Sequence, residues 1–211
     1  PTSYGEEFFL DPEDKAYRAI PWAEKTLMAG FTTVRDMGGE VILAMRDAIG
    51  KGYIKGPRIY SAGRSMGTTG GHADPTSGLN RQFRGDPGPY GGGVNGVDDA
   101  VKGVRQRYKD GSDLVKITAT GGVLSVAKNG KNPQFTEEEI RAIVTTAADY
   151  EMFVAAHAHG VEGMQRAIRA GVRTIDHGTL MDQETAKLMI KYGTYYVPTI
   201  SAGEFVYEKA Q

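Results

Sequence analysis

Three of the chain's four histidines fall in two stretches, Phe153-Val154-Ala155-Ala156-His157-Ala158-His159-Gly160 and Thr174-Ile175-Asp176-His177-Gly178-Thr179. Each stretch reads as a short apolar strand that ends in His and then Gly. His157 and His177 lie one strand–helix–strand repeat apart, which brings two imidazoles to the same end of neighbouring parallel strands. Imidazoles placed that way serve as metal ligands or catalytic bases. The plainer reading, a His that only caps its own strand, is weakened by its recurrence at two equivalent strand ends. His157 and His159 share a face if their strand runs on. Either can be the ligand, while the other orients it, touches substrate or packs.

Lys116 stands between Val115 and Ile117 in a short apolar run. A lysine inside a buried strand is costly as a cation. Three outcomes are open to it: pairing with an acid, snorkelling to the strand end, or chemical change. Burial lowers its pKa and frees an amine that attacks carbonyl compounds, carbon dioxide included. A carbamate formed so would be a carboxylate-like ligand. His72 follows a double glycine in Thr69-Gly70-Gly71-His72-Ala73-Asp74, where unencumbered backbone allows close approach to a ligand. A local His72–Asp74 contact is the alternative. Asp36, before Gly38-Gly39, reads as turn chemistry rather than a ligand. Tyr195 and Tyr196 point to opposite faces of one strand, and Tyr196 is the candidate substrate contact.

These residues need a frame that brings strand ends together. Phe31 to Arg35, Arg58 to Ala62, Leu114 to Thr118, Phe153 to Ala156, Val172 to Ile175 and Tyr195 to Ile200 read as strands. Helical spacing separates them at Ala16 to Met28, Val41 to Ile49, Val97 to Tyr108, from Thr136, Val161 to Ala170 and Gln183 to Tyr192. Asp11-Pro12 and the pair Thr136 and Glu139 are helix starts, Gly30 a helix stop, and Pro21 is expected to kink or divide its helix. Gly63 to Gly96 reads as one long functional loop, and Ser125 to Asn132 as a second. Residues 1–11 read as irregular, and the chain's last residues as the start of a further helix. Six apolar strands alternating with helices imply a parallel α/β fold. A doubly wound sheet would show a phosphate-binding turn that Gly38-Gly39 matches poorly. Chemistry at several strand ends favours a TIM-type (β/α) barrel, partial, with about six of eight βα units.

Composition narrows the classes. With 211 residues and a net charge of −1, nothing in the chain's charge suggests nucleic acid or an anionic membrane. It has no cysteine, which excludes disulfides, thiolate nucleophiles and Cys-ligated zinc. No apolar run spans a bilayer and no signal peptide opens the chain, so a cytoplasmic site is expected.

The chain resembles the amidohydrolase superfamily, and within it the imidazolonepropionase-like and prolidase-like (Xaa-Pro dipeptidase) hydrolases. The resemblance rests on Ala29-Gly30-Phe31-Thr32-Thr33-Val34-Arg35-Asp36, Gly56-Pro57-Arg58-Ile59 and Thr69-Gly70-Gly71-His72-Ala73-Asp74. Val115-Lys116-Ile117, Ala156-His157-Ala158-His159-Gly160, Ile175-Asp176-His177-Gly178-Thr179 and Val197-Pro198-Thr199 complete it, in family order along nearly the whole chain. It implies a binuclear centre of zinc or another divalent metal, with Lys116 as a bridging lysine carbamate and His157 and His177 as ligands of one ion. It implies His72 near the substrate carbonyl or carboxylate. His159 stands where prolidase-like members often carry a substrate-contacting Tyr. The family's His-x-His pair of the first strand and its catalytic Asp of the eighth have no counterpart here. The expectation is therefore a single barrel domain, 1–211, truncated at both ends, with no catalytic base identified. It would bind one or two ions, only one of them tightly. A small-molecule or dipeptide substrate and a homo-oligomer are expected. Two other readings stand beside the peptide hydrolase: a catalytically impaired metal-binding or interaction module, and a cyclic-amide or lactone hydrolase.

Overall fold

The computed structural model of the chain describes residues 9–122, 125–126 and 129–209. The irregular segment expected at the N-terminus and the second polar loop therefore lie partly outside the described residues.

Among the described residues, six parallel strands and eight α-helices follow one another along the chain. Helix α1 (Pro12–Met28) precedes β1 (Thr33–Asp36), α2 (Ile42–Gly50) and β2 (Arg58–Ser61). Two helices, α3 (Gly88–Gly91) and α4 (Val97–Asp110), lead to β3 (Val115–Thr118). Then come α5 (Glu137–Ala148), β4 (Val154–Ala158), α6 (Val161–Ala170), β5 (Thr174–His177), α7 (Gln183–Tyr192), β6 (Tyr195–Val197) and α8 (Ile200–Lys209). Strands β1 and β2 pair with each other, and β3, β4, β5 and β6 form a second ladder in chain order.

The two ladders are parts of one curved wall. Past β2 the chain pairs with β3: Met66 N donates to Lys116 O at 2.8 Å and Thr118 N to Met66 O at 3.0 Å. Asp113 N also donates to Ser61 O, and Asp113 Oδ2 accepts from Ser61 N, both at 2.8 Å. The wall curls strongly enough for Arg35 of β1 to bond Thr174 and Asp176 of β5. This is a partial (β/α) barrel, as the alternation of strands and helices predicts.

Side-chain alternation divides its two faces. Val115, Ile117, Val154, Ala156, Ala158 and Ile175 join the core cluster with residues of helices α4 to α7. Lys116, Thr118, Ala155, His157, Thr174 and Asp176 occupy the alternate positions and point into the barrel. The register aligns them in two layers, Lys116–Ala155–Thr174 and Thr118–His157–Asp176. Polar residues thus sit in the interior of buried strands because every outward position is already apolar.

Local signals mostly hold. Asp11 and Asp14 form a capping box ahead of Pro12, and Thr136 with Glu139 forms another. Pro21 does not divide α1, which runs unbroken through it. Pro21 lies on the exposed face, so water can satisfy the carbonyl its missing N–H leaves behind. The segment from Gly63 to Gly96 is not one open loop: it contributes the Met66 wall contact, a 3-10 turn at Arg81–Phe83 and α3. Strand β4 extends past Ala156 and takes His157 into the ladder, and β5 likewise ends on His177 rather than Ile175.

Candidate active site

The four imidazoles come together at the C-terminal ends of β3, β4 and β5. His157 is the centre of the group: its ring stacks on His72 at 4.3 Å between centroids and meets His159 at 4.7 Å and His177 at 4.8 Å edge-on. His159 stacks on His177 at 5.2 Å. His72 arrives from the long connection after β2, not from a strand end. No pair of these residues is closer in sequence than His157 and His159, so the fold, not local sequence, makes the cluster.

Each ring is anchored. His157 Nε2 lies 2.9 Å from Gly121 O, His159 Nδ1 2.8 Å from Thr179 Oγ1 and His177 Nδ1 2.7 Å from Thr199 Oγ1. His72 Nδ1 lies 2.7 Å from Ser125 Oγ. The expected alternative of a His72–Asp74 contact is not what forms. Asp74 instead accepts from Gly70 N and Thr76 N, at 2.7 and 2.8 Å, and holds the turn. Asp36 behaves as turn chemistry, accepting from Gly38 N at 3.1 Å. The Tyr196 hydroxyl donates to His177 O at 3.0 Å, so it buttresses the end of β5.

Backbone strain falls at the same place. His177 has φ 74 and Thr199 φ 48, two non-glycine residues in the left-handed region that are hydrogen-bonded to each other. Such a conformation costs about 1–2 kcal/mol per residue and persists only where its surroundings enforce it.

Burial keeps the imidazoles uncharged. Desolvation pushes His157 down to about 2, outweighing its bond to Gly121 O, with the other histidines adding a smaller push. His177 falls to about 4, chiefly by burial and then by the Lys116 cation. His72 and His159 are lowered for the same first reason. In the unfolded chain these rings protonate near 6.5. Below that pH the unfolded state binds more protons, so folding stability should fall as pH drops from about 6.5 toward 4. The expected result is a melting midpoint that declines through this window, before the carboxylates titrate. A midpoint unchanged between pH 7 and 4.5 would contradict the buried-neutral cluster.

Lys116 takes the first of the outcomes open to it and pairs with an acid. Its Nζ donates to Asp176 Oδ2, with Lys116 only 6% and Asp176 3% exposed. Burial holds the Lys116 ammonium below its usual range in spite of that partner. The other carboxylate oxygen, Asp176 Oδ1, accepts from Arg35 at 2.9 Å and Thr174 Oγ1 at 3.2 Å. Asp176 was legible only as part of a motif. Its role as the anion between two cations comes from partners on β1 and β3 that no local spacing reveals.

These groups line a cleft of about 540 Å³. Lys116, His72, His157 and His177 all line it, together with Arg35 and Arg64; His159 and Tyr196 are not among its lining residues. Thr118 also lines it, and its Oγ1 is buried without a hydrogen-bond partner among the described residues. Buried hydroxyls are almost always satisfied, so this one marks a place for a polar atom of a bound molecule. Thr118→Val should leave the melting midpoint unchanged or slightly higher, because it removes an unmet polar group. It should also weaken substrate binding. A loss of stability of more than about 1 kcal/mol would show that the hydroxyl is satisfied after all.

Two of the imidazoles meet the chemical requirement for a metal ligand. His157 and His177 are neutral, as ligand imidazoles must be, and no carboxylate is bonded to either ring. Among the described residues, no three His, Asp or Glu side chains converge on one metal-sized position. Two imidazoles therefore need a donor of another kind.

Comparison with known proteins gives the context. The amidohydrolase family model matches residues 3–211. The chain is 34% identical over 207 residues to the ochratoxinase of Aspergillus niger, covering 92% of this chain and 42% of that protein. The crystal structure of a Xaa-Pro dipeptidase with methionine in its active site superposes with a TM-score of 0.93 at 57% identity, over 95% of this chain and 50% of that one. A prolidase complexed with N-methylphosphonate-L-proline superposes with a TM-score of 0.83 at 35% identity, over 94% of this chain and 49% of that one. The chain thus spans half or less of the length of these relatives.

Proposed function

The chain belongs to the amidohydrolase family, and from that premise we propose that the protein carrying it is a metal-dependent hydrolase of amide bonds acting on Xaa-Pro dipeptides or related N-acyl amino acids. The observation that carries this reading is the pair of neutral imidazoles, His157 and His177, at adjacent strand ends in one cleft with the buried Lys116. The substrate class is taken from the relatives, a Xaa-Pro dipeptidase and a prolidase crystallised with a proline phosphonate.

His157 and His177 would hold the ion, and Lys116 would join them once it is a carbamate. As an ammonium bonded to Asp176 it has no lone pair to offer. The ammonium first gives up a proton to reach the amine form, which burial favours. The amine attacks carbon dioxide: an N–C bond forms as one C=O π bond opens onto oxygen, and a second proton leaves the nitrogen. Over the two losses the cation becomes an anion. A bound divalent ion such as zinc supplies a Lewis acid and a water made acidic enough to attack near neutral pH.

The remaining residues position and shape. Ser125 occupies His72 Nδ1 and leaves Nε2 for a substrate oxygen. Thr118 offers its unmet hydroxyl from the same wall. His159 and Tyr196 support the site from outside the lining: His159 packs on His177 and His157, and Tyr196 holds the His177 carbonyl. No general base is assigned to this chain.

Xaa-Pro dipeptides, N-acyl amino acids and a neutral lactone assayed side by side test the reading. Turnover of the peptides and acyl amino acids is expected. Turnover of the lactone alone would replace it with the cyclic-ester reading.

A further inference from the structure

Three cations face the cleft, Arg35, Arg64 and Lys116, against one carboxylate, Asp176. Arg35 and Lys116 are both committed to that carboxylate. Arg64 is placed differently. Its guanidinium meets Glu40 at 3.5 Å, with the two side chains 42% and 45% exposed, and Glu40 is shared with Lys15 at 3.3 Å. An exposed pair at that distance holds a guanidinium weakly.

The backbone under Arg64 is held firmly by comparison. Arg107, a cation only 1% exposed, donates from Nε to Arg64 O at 2.6 Å, and its other nitrogens reach Tyr90 O and Pro89 O at 3.3 and 3.4 Å. Ser65 Oγ donates to Met37 O at 2.9 Å, and Met66 is fixed to β3. Arg64, which lines the cleft, therefore carries a loosely held charge on a rigid support and is the one of these three cations not committed to Asp176.

We infer that Arg64 is a specificity-determining residue that takes the free carboxylate of the substrate. The planar guanidinium matches a carboxylate with two parallel hydrogen bonds, and a ligand carboxylate in a half-enclosed cleft competes well with the wet contact to Glu40. The substrates selected are amides whose acid end is free: N-acyl amino acids and dipeptides, in preference to peptide amides, esters and neutral lactams. The inference rests on the proposed amide hydrolysis for the bond that is cut, and on the weakly paired Arg64 guanidinium for the group that is bound.

The test measures binding and turnover separately in the full protein. Binding of N-acetylproline and of N-acetylprolinamide is compared in the parent, Arg64→Met and Arg64→Lys, alongside hydrolysis of a Xaa-Pro dipeptide and its C-terminal amide. Arg64→Met should weaken the acid about 10- to 100-fold and the amide by no more than about twofold, with Arg64→Lys recovering part of the loss. KM for the dipeptide should rise in step while kcat changes little. Equal weakening of acid and amide, or an unchanged acid, would overturn the assignment while leaving the hydrolase reading intact. Arg64-dependent acid binding with no turnover of either peptide would support the subsite and overturn the hydrolase reading instead.

Discussion

In the metal-free protein, where Lys116 is an ammonium, Asp176→Ala should destabilise the fold by about 3–5 kcal/mol, the usual cost of removing one partner from a buried charge pair. One carboxylate, 3% exposed, is bonded to Lys116 through one oxygen and to Arg35 and Thr174 through the other. Its loss leaves two cations facing each other across the barrel interior. Lys116 can escape by giving up its proton, while Arg35 cannot. For a chain of this size the loss corresponds to a fall in melting midpoint of roughly 10 °C. Adding Lys116→Met should recover part of it, since one unpaired cation is then removed and the two sites share a bond. A midpoint within a degree or two of the parent, or simple additivity in the double variant, would mean that the Lys116–Asp176 pair carries little.

His157→Ala and His177→Ala should each lower zinc content at least about tenfold, and by similar factors, because each removes one of few ligands. Hydrolysis should fall by about three orders of magnitude or more in both, since the activated water depends on the ion. His159→Ala, by contrast, should keep most of the metal, because His159 is not among the residues lining the cleft and its ring is bonded to Thr179. Metal analysis of the three variants decides the matter. Zinc lost only in His159→Ala would move the ligand from His157 to His159, two residues on and just past the end of β4.

The difference between these residues and Asp176 shows where sequence reading succeeds. His157 and His177 repeat the same local context, an apolar strand closed by Gly, so two equivalent strand ends are legible from a single chain. Lys116 was legible for the opposite reason, as a charge set in a strand with no polar neighbour. The rest of the site depends on register and curvature. Asp176 becomes a bridge because the wall curls and brings Arg35 within 2.9 Å, and Thr118 becomes a cleft residue because it lies level with His157 across two strands. His72 was picked out by its glycines, but its stacking on His157 needs the long segment folded back along β3. Arg64 gave no signal at all, because an arginine near Gly in a loop is ordinary until the cleft is formed around it. Pro21 misleads in the other direction: the rule that proline breaks a helix assumes a carbonyl that cannot reach water.

On the function proposed above, His157, His177 and Lys116 hold the metal of an amide hydrolase. The most direct measurement is hydrolysis of a Xaa-Pro dipeptide by the full protein before chelation, after removal of metal, and after zinc and bicarbonate are returned together, with bound metal quantified at each stage. Activity should disappear with the metal, and the return of zinc and bicarbonate should restore it more completely than zinc alone. Full turnover in protein shown to contain no metal would contradict the account.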